Sequence, residues 1–120
     1  MKPILGVPLM DGDHAALERM LVEAGEKPDS DLLSAFDAIA REIRDHFARE
    51  ERAMTEARVP VLMCHLELHA RILRDVEMMR AEIVAHGPAR TRDLIEAVLP
   101  QLIADHVASA DAVSATFLRS

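Results

Sequence analysis

Apolar residues recur along this chain at intervals of three and four, with charged residues filling the positions between. Leu32, Phe36, Ile39 and Ile43 are spaced 4, 3, 4, and the same step continues into His46, Glu50 and Ala53. A second seam runs Leu62, His65, His69, Ile72, Val76, Met79, Ile83. Met10, His14, Leu17, Leu21 and Ala24 make a third; Ile95, Leu99, Leu102, His106, Ala110, Val113 and Phe117 make a fourth. This spacing marks the buried stripe of an amphipathic α-helix, and β-branched runs alternating with a period of two are missing.

Punctuation divides the four seams. After an irregular arm over 1–10, the acids of DGDH suit a helix start and Gly25 a stop, which predicts a helix over about 11–24. EKPDS reads as a loop in which Asp29 or Ser30 caps a helix over about 31–57. Val59-Pro60 breaks that helix, with Pro60 expected as the first residue of the next, over 60–86. AHGP at 85–88 ends it, and the fourth covers about 89–118. Long helices joined by short loops pack as antiparallel neighbours, so the expected fold is all-α: an up-down-up-down four-helix bundle forming one domain over 1–120. Pro100 interrupts the fourth helix. It lacks an N–H and crowds the carbonyl of Glu96, so a kink is expected over 96–100.

Composition strengthens this picture and removes some functions. Half the residues are hydrophobic, yet there are only three Phe and no Trp or Tyr; Ala, Leu, Met, Glu and Arg, all good helix formers, dominate. A net charge of −7 has the wrong sign for a nucleic-acid or anionic-membrane binder. One cysteine, Cys64, allows no intramolecular disulfide and is expected as an inert, partly buried thiol in a reducing compartment. The start, MKPILGVPLM, is neither a signal peptide nor a span, so the reading is cytoplasmic, without membrane insertion.

The seams also carry the chemistry. Each helix turns at least one histidine inward, five of the six in the chain, with Glu50 among them. A lone seam histidine is more often a hydrogen-bonded core residue than a ligand. Five with a carboxylate are another matter, because the seams hold no matching stock of Ser, Thr, Asn or Gln to satisfy them. A metal gives each imidazole nitrogen a partner. Antiparallel packing puts His46, Glu50, His65 and His69 at one height across the Pro60 turn, and His14 and His106 can join that layer. Five nitrogens exceed what one tetrahedral zinc takes; two carboxylate-bridged ions use them better, and mixed N/O ligation suits iron. Glu50, one turn beyond His46, can bridge. Asp111 follows His106 by five residues, about 140° round a regular helix, and so leans to one side of the seam. His86, in the AHGP stop, is read as solvent-exposed or as a cation at a helix C-terminus. The ExxH pairs of ferritin-like di-iron enzymes and the HExxH of zincins are both missing.

In order, the motifs are His14 within MDGDH, HFARE at 46–50, HLELH at 65–69 and HVASAD at 106–111. This series resembles the hemerythrin family over nearly the whole chain. The resemblance implies two iron ions joined by an oxo or hydroxo bridge. One would be held by His65, His69 and His106, the other by His14 and His46 with an open position for dioxygen. Glu50 and Asp111 would bridge both. By position, the dioxygen pocket would involve Phe47, Leu102, Ile103 and Val107. The chain departs from the family at Leu102, where a Trp is frequent, and in an arm without aromatics. A less bulky pocket is expected to admit water more readily and to autoxidise faster. The implied function is reversible dioxygen binding for carriage, storage or delivery, with an electron donor or an O₂-using protein as a possible partner. A redox enzyme acting on peroxide or nitric oxide, or an O₂ or redox sensor, would use the same seven residues.

Overall fold

The computed structural model describes residues 7–118, all helical apart from the connecting turns. α1 is Pro8–Gly25, α2 Leu32–Glu56 and α3 Leu62–His86; α4 covers 88–118. They form an antiparallel four-helix bundle measuring 45 × 24 × 18 Å. α1 starts three residues before the expected Asp11, because Pro8 at its first turn needs no N–H partner and its fixed φ suits a helix start. The rest of the irregular arm, 1–6, lies outside the described residues.

The turns differ from expectation in instructive ways. Neither Asp29 nor Ser30 caps α2 through its side chain. A 3₁₀ turn, Asp29–Asp31, leads into the helix instead, closed by the Asp31 N–H on Pro28 O at 2.9 Å. Arg92 of α4 anchors this loop, donating to Gly25 O at 2.9 Å, Lys27 O at 3.0 Å and Asp29 Oδ1 at 2.8 Å. Those bonds take up carbonyls that the end of α1 leaves unpaired. Pro60 lies in the α2–α3 turn, two residues before α3 begins at Leu62. The reason is a Schellman closure on α2: the Val59 N–H reaches Met54 O at 3.1 Å and the Arg58 N–H reaches Thr55 O at 3.2 Å. Met54 and Val59 are both buried, which supplies the apolar contact of that motif. Its left-handed position is filled by Arg58, at φ 55°, where glycine is usual. Arg58→Gly is therefore expected to stabilise the protein by about 0.5–1 kcal/mol, read as a shift in urea midpoint.

The seams of α1 and α3 face inward nearly as the periodicity predicts: Met10, His14, Leu17, Leu21 and Ala24 are buried, as are His65 to Ile83 at the seam positions. On α2 the seam holds to Glu50 and then passes to Met54, with Ala53 half-buried. One half of the bundle is apolar, built from Leu21, Phe36, Ile39, Val76, Met79, Ile83, Leu94, Ile95 and Leu99. The histidines occupy the half nearer the α2–α3 turn, so a dry hydrocarbon layer closes off one side of them.

α4 departs from regular helix twice. Leu94–Val98 is a π turn, in which the Leu99 N–H reaches back to Leu94 O. The widened turn precedes Pro100, so an extra residue in the hydrogen-bond ladder leads into the proline. Val107–Asp111 is a second π turn, closed by the Ala112 N–H on Val107 O. Beyond it the buried face is Asp111, Ser114 and Ala115; Val113 and Phe117, expected on the seam, are exposed.

Candidate metal centre

The second π turn explains how Asp111 joins the core. Five residues at about 100° each would point it 140° away from His106. A turn closed over five residues instead returns it to the same face, one turn beyond that histidine. π turns of this kind recur at functional sites.

Seven buried side chains converge here, and all seven are those singled out from the sequence. Glu50, His65, His69, His106 and Asp111 offer donor atoms that lie within 4.8 Å of one another. His14, His46, Glu50 and Asp111 form a second such group. The two carboxylates belong to both, and each divides its oxygens between them. Glu50 Oε2 lies 3.2 Å from His46 Nε2, while Oε1 lies 3.2 Å from His69 Nε2 and closer still to His65 Nε2. Asp111 Oδ2 lies 3.0 Å from His14 Nε2, and Oδ1 lies 3.0 Å from both His65 and His106 Nε2. Glu50 and Asp111 are fully buried.

The inward-facing atoms have chiefly one another for partners, in imidazole–carboxylate contacts. Both oxygens of Glu50, Oδ1 of Asp111, and Nε2 of His65, His69 and His106 are buried without a hydrogen bond among the described residues. Charge pairing among two carboxylates and several imidazoles offsets only part of the cost of burying so many ionisable groups with unmade hydrogen bonds. A cation at their common focus satisfies all of them at once, so the donor set fits metal.

The outward nitrogens are held. His46 Nδ1 donates to Asp13 Oδ2 at 2.9 Å, and His69 Nδ1 to Glu51 Oε2 at 2.7 Å. His65 Nδ1 pairs with Ser114 Oγ at 2.7 Å. An Nδ1–H engaged outward leaves the Nε2 lone pair facing the centre. Phe47 stacks on His69, ring centroids 3.7 Å apart and 4° from parallel, and so fixes the plane of that imidazole. Asp13, Glu51 and Ser114 were not foreseen. The first two are carboxylates directly beside a seam ligand in sequence, which is the signal that could have found them.

Protonation follows the same contacts. Burial would raise the Glu50 carboxyl, but the facing His46, His65 and His69 bring it down to about 2. Asp111 is likewise held well below the carboxylate range: burial opposes this, and His106, His14 and His65 outweigh it. For His65, burial works downward, yet Asp111 and Glu50 push it up to about 9. His46 is raised in the same sense, against burial, by Glu50 and Asp13.

Beside the second group lies a cavity of about 10 Å³, bounded by Leu17, Ile43, Phe47, Ile72, Ile103 and Val107 together with His14, His46, His106 and Asp111. Phe47, Ile103 and Val107 are among the residues expected there. Leu102 is half-buried, packs against the core and does not line this cavity. Leu17, Ile43 and Ile72 take up the volume, so the space is tight despite the scarcity of aromatics. Cys64 is exposed rather than partly buried, and His86 is exposed at the end of α3.

Four antiparallel helices presenting histidines and two shared carboxylates to one interior layer define a helical-bundle metal-binding domain. A family model described as the hemerythrin HHE cation binding domain matches residues 5–116. A bacteriohemerythrin of Ralstonia nicotianae is 32% identical over 114 residues, covering 95% of this chain and 82% of that protein. The chain belongs to the hemerythrin family. No solved structure gives a significant match, and among the described residues no helix is long and apolar enough to cross a membrane.

Proposed function

We propose that this chain is a non-haem di-iron protein that binds dioxygen reversibly. The observation that carries the reading is the unequal pair of donor groups sharing Glu50 and Asp111. One group has His65, His69 and His106; the other has only His14 and His46 and adjoins the apolar cavity. The second position is one imidazole short, which leaves room for an outside ligand on the side where the cavity lies.

A pair of ferrous ions, when bound, supplies the two electrons that make dioxygen binding both tight and reversible. The protein's own contribution is to hold and to exclude. Glu50 and Asp111 keep the two positions at a fixed separation, and Asp13, Glu51 and Ser114 hold the imidazoles that face them. Leu17, Ile43, Ile72, Ile103 and Val107 wall the cavity with hydrocarbon. Apart from His14, His46, His106 and Asp111, which belong to the donor groups themselves, only hydrocarbon side chains line that cavity, so among the described residues it holds no separate acid to donate a proton to an outside ligand. This favours carriage or storage over turnover of peroxide.

The test is optical. Protein loaded with two Fe(II) per chain under anaerobic conditions is expected to develop a visible charge-transfer band on admitting O₂. The band should disappear under vacuum and return on the next exposure. Consumption of O₂ or peroxide without an accumulating band would overturn reversible binding in favour of an enzyme.

A further inference from the structure

We propose that Asp13 and Arg49 position His46 and set how strongly it donates to its metal, so that the two halves of the centre are tuned differently. This inference rests on the di-metal reading above.

Asp13 precedes His14 on α1 and is turned about 100° from it. His14 faces Asp111, while Asp13 reaches across to α2. Its Oδ2 accepts two hydrogen bonds, from His46 Nδ1 at 2.9 Å and from Arg49 Nε at 2.9 Å. Arg49 continues outward, its Nη2 donating to Glu42 Oε1 at 2.8 Å. Glu42, Arg49, Asp13 and His46 thus form a line of contacts from the surface to the centre.

The first consequence is geometric. The two-histidine group draws its imidazoles from different helices, and Asp13 ties one helix to the other within a residue of both ligands' contacts. It also fixes the His46 ring with Nε2 turned to Glu50 Oε2. The second consequence is electronic. A carboxylate on Nδ1–H pushes electron density into an imidazole and makes it a better donor. Arg49 shares the same oxygen and withdraws part of that charge. In the other group His69 rests on Glu51, which has no cationic partner among the described residues, and His65 rests on the neutral Ser114. Arg49 therefore tempers only the half with the open position.

Opposite charge changes separate this role from simple packing. Anaerobic Fe(II) titration and redox titration of the iron-loaded protein are made on the parent, Asp13→Ala, Asp13→Asn and Arg49→Met, with circular dichroism to establish folding. Asp13→Ala is expected to weaken one of two Fe(II) equivalents by roughly 10–100-fold. Asp13→Asn should restore most of that affinity, because the amide oxygen still accepts from His46, and should raise the midpoint potential. Arg49→Met should keep both irons and lower the potential. Two equivalents in the parent with an unchanged Asp13→Ala isotherm overturn the inference alone, as do potentials that move the same way in Asp13→Asn and Arg49→Met. A parent binding fewer than two irons overturns the di-metal reading and this inference with it.

Discussion

Glu50→Ala is expected to lower the iron content from two per chain to one or none. Glu50 faces His46 through one oxygen and His65 and His69 through the other, and only Asp111 meets as many imidazoles among the described residues. Its removal deletes a donor from both groups and strips half of the carboxylate charge that, on the proposed di-iron reading, would offset two cations. If Glu50 and Asp111 bridge as proposed, losing one of them would also free the spacing between the two positions, so a second ion would lose its template as well as a ligand. The alanine variant leaves a cavity in a fully buried spot, and Glu50→Gln separates that effect, keeping the volume while removing the charge. Both variants should lose metal. Metal analysis after desalting, on protein verified as folded by circular dichroism, is the measurement; two tightly held irons in either variant would sink the shared role of Glu50.

How much of this was legible in the sequence depends on whether regular helix persists. Along α1 and α3, and along α2 up to Glu50, a step of three and four residues keeps one face buried, so His14, His46, His65 and His69 announce their direction by their spacing from Leu17, Ile43 and Ile72. The same rule failed for the end of α4. The Val107–Asp111 turn holds an extra residue, which brings Asp111 inward and pushes Val113 and Phe117 to the surface. A five-residue gap between His106 and Asp111 was the visible symptom, but without the turn it read as an off-axis aspartate. Partners outside the ligand set were hidden for a different reason. Asp13, Glu51 and Ser114 reach imidazoles on other helices, and such neighbours follow from how helices dock rather than from the period within any one of them. Pro60 and Arg58 show the same limit at a turn, where the hydrogen-bond closure of the preceding helix decided where the next could start.

Removing the metal is expected to reverse the direction in which stability changes with pH. In the metal-free protein His65 has its pKa pushed up from 6.5 to about 9 by Asp111 and Glu50. The folded state then holds a proton that the unfolded chain has released, so this contribution is complete below pH 6.5 and is lost as pH rises through 9. It is on the order of 3 kcal/mol, and His46, raised in the same sense, adds to it. Glu50 acts at the other end. Its pKa falls from 4.5 to about 2, so its contribution is present above 4.5 and disappears as pH drops towards 2. Metal-free protein should therefore be most stable between about 4.5 and 6.5. Metal inverts the alkaline side, because coordination needs the imidazoles unprotonated and the unfolded chain must shed those protons before it can refold around the ions. Stability of loaded protein should rise from pH 5.5 to about 7.5 and hold through 9. Urea midpoints at pH 6 and pH 9, with and without a chelator, decide the matter. The metal-free midpoint should be lower at pH 9 than at pH 6, and the loaded midpoint should be equal or higher. A metal-free midpoint that rises between those pH values would mean that the histidines are not held protonated by Glu50 and Asp111, and the charge balance derived for the centre would fall with it.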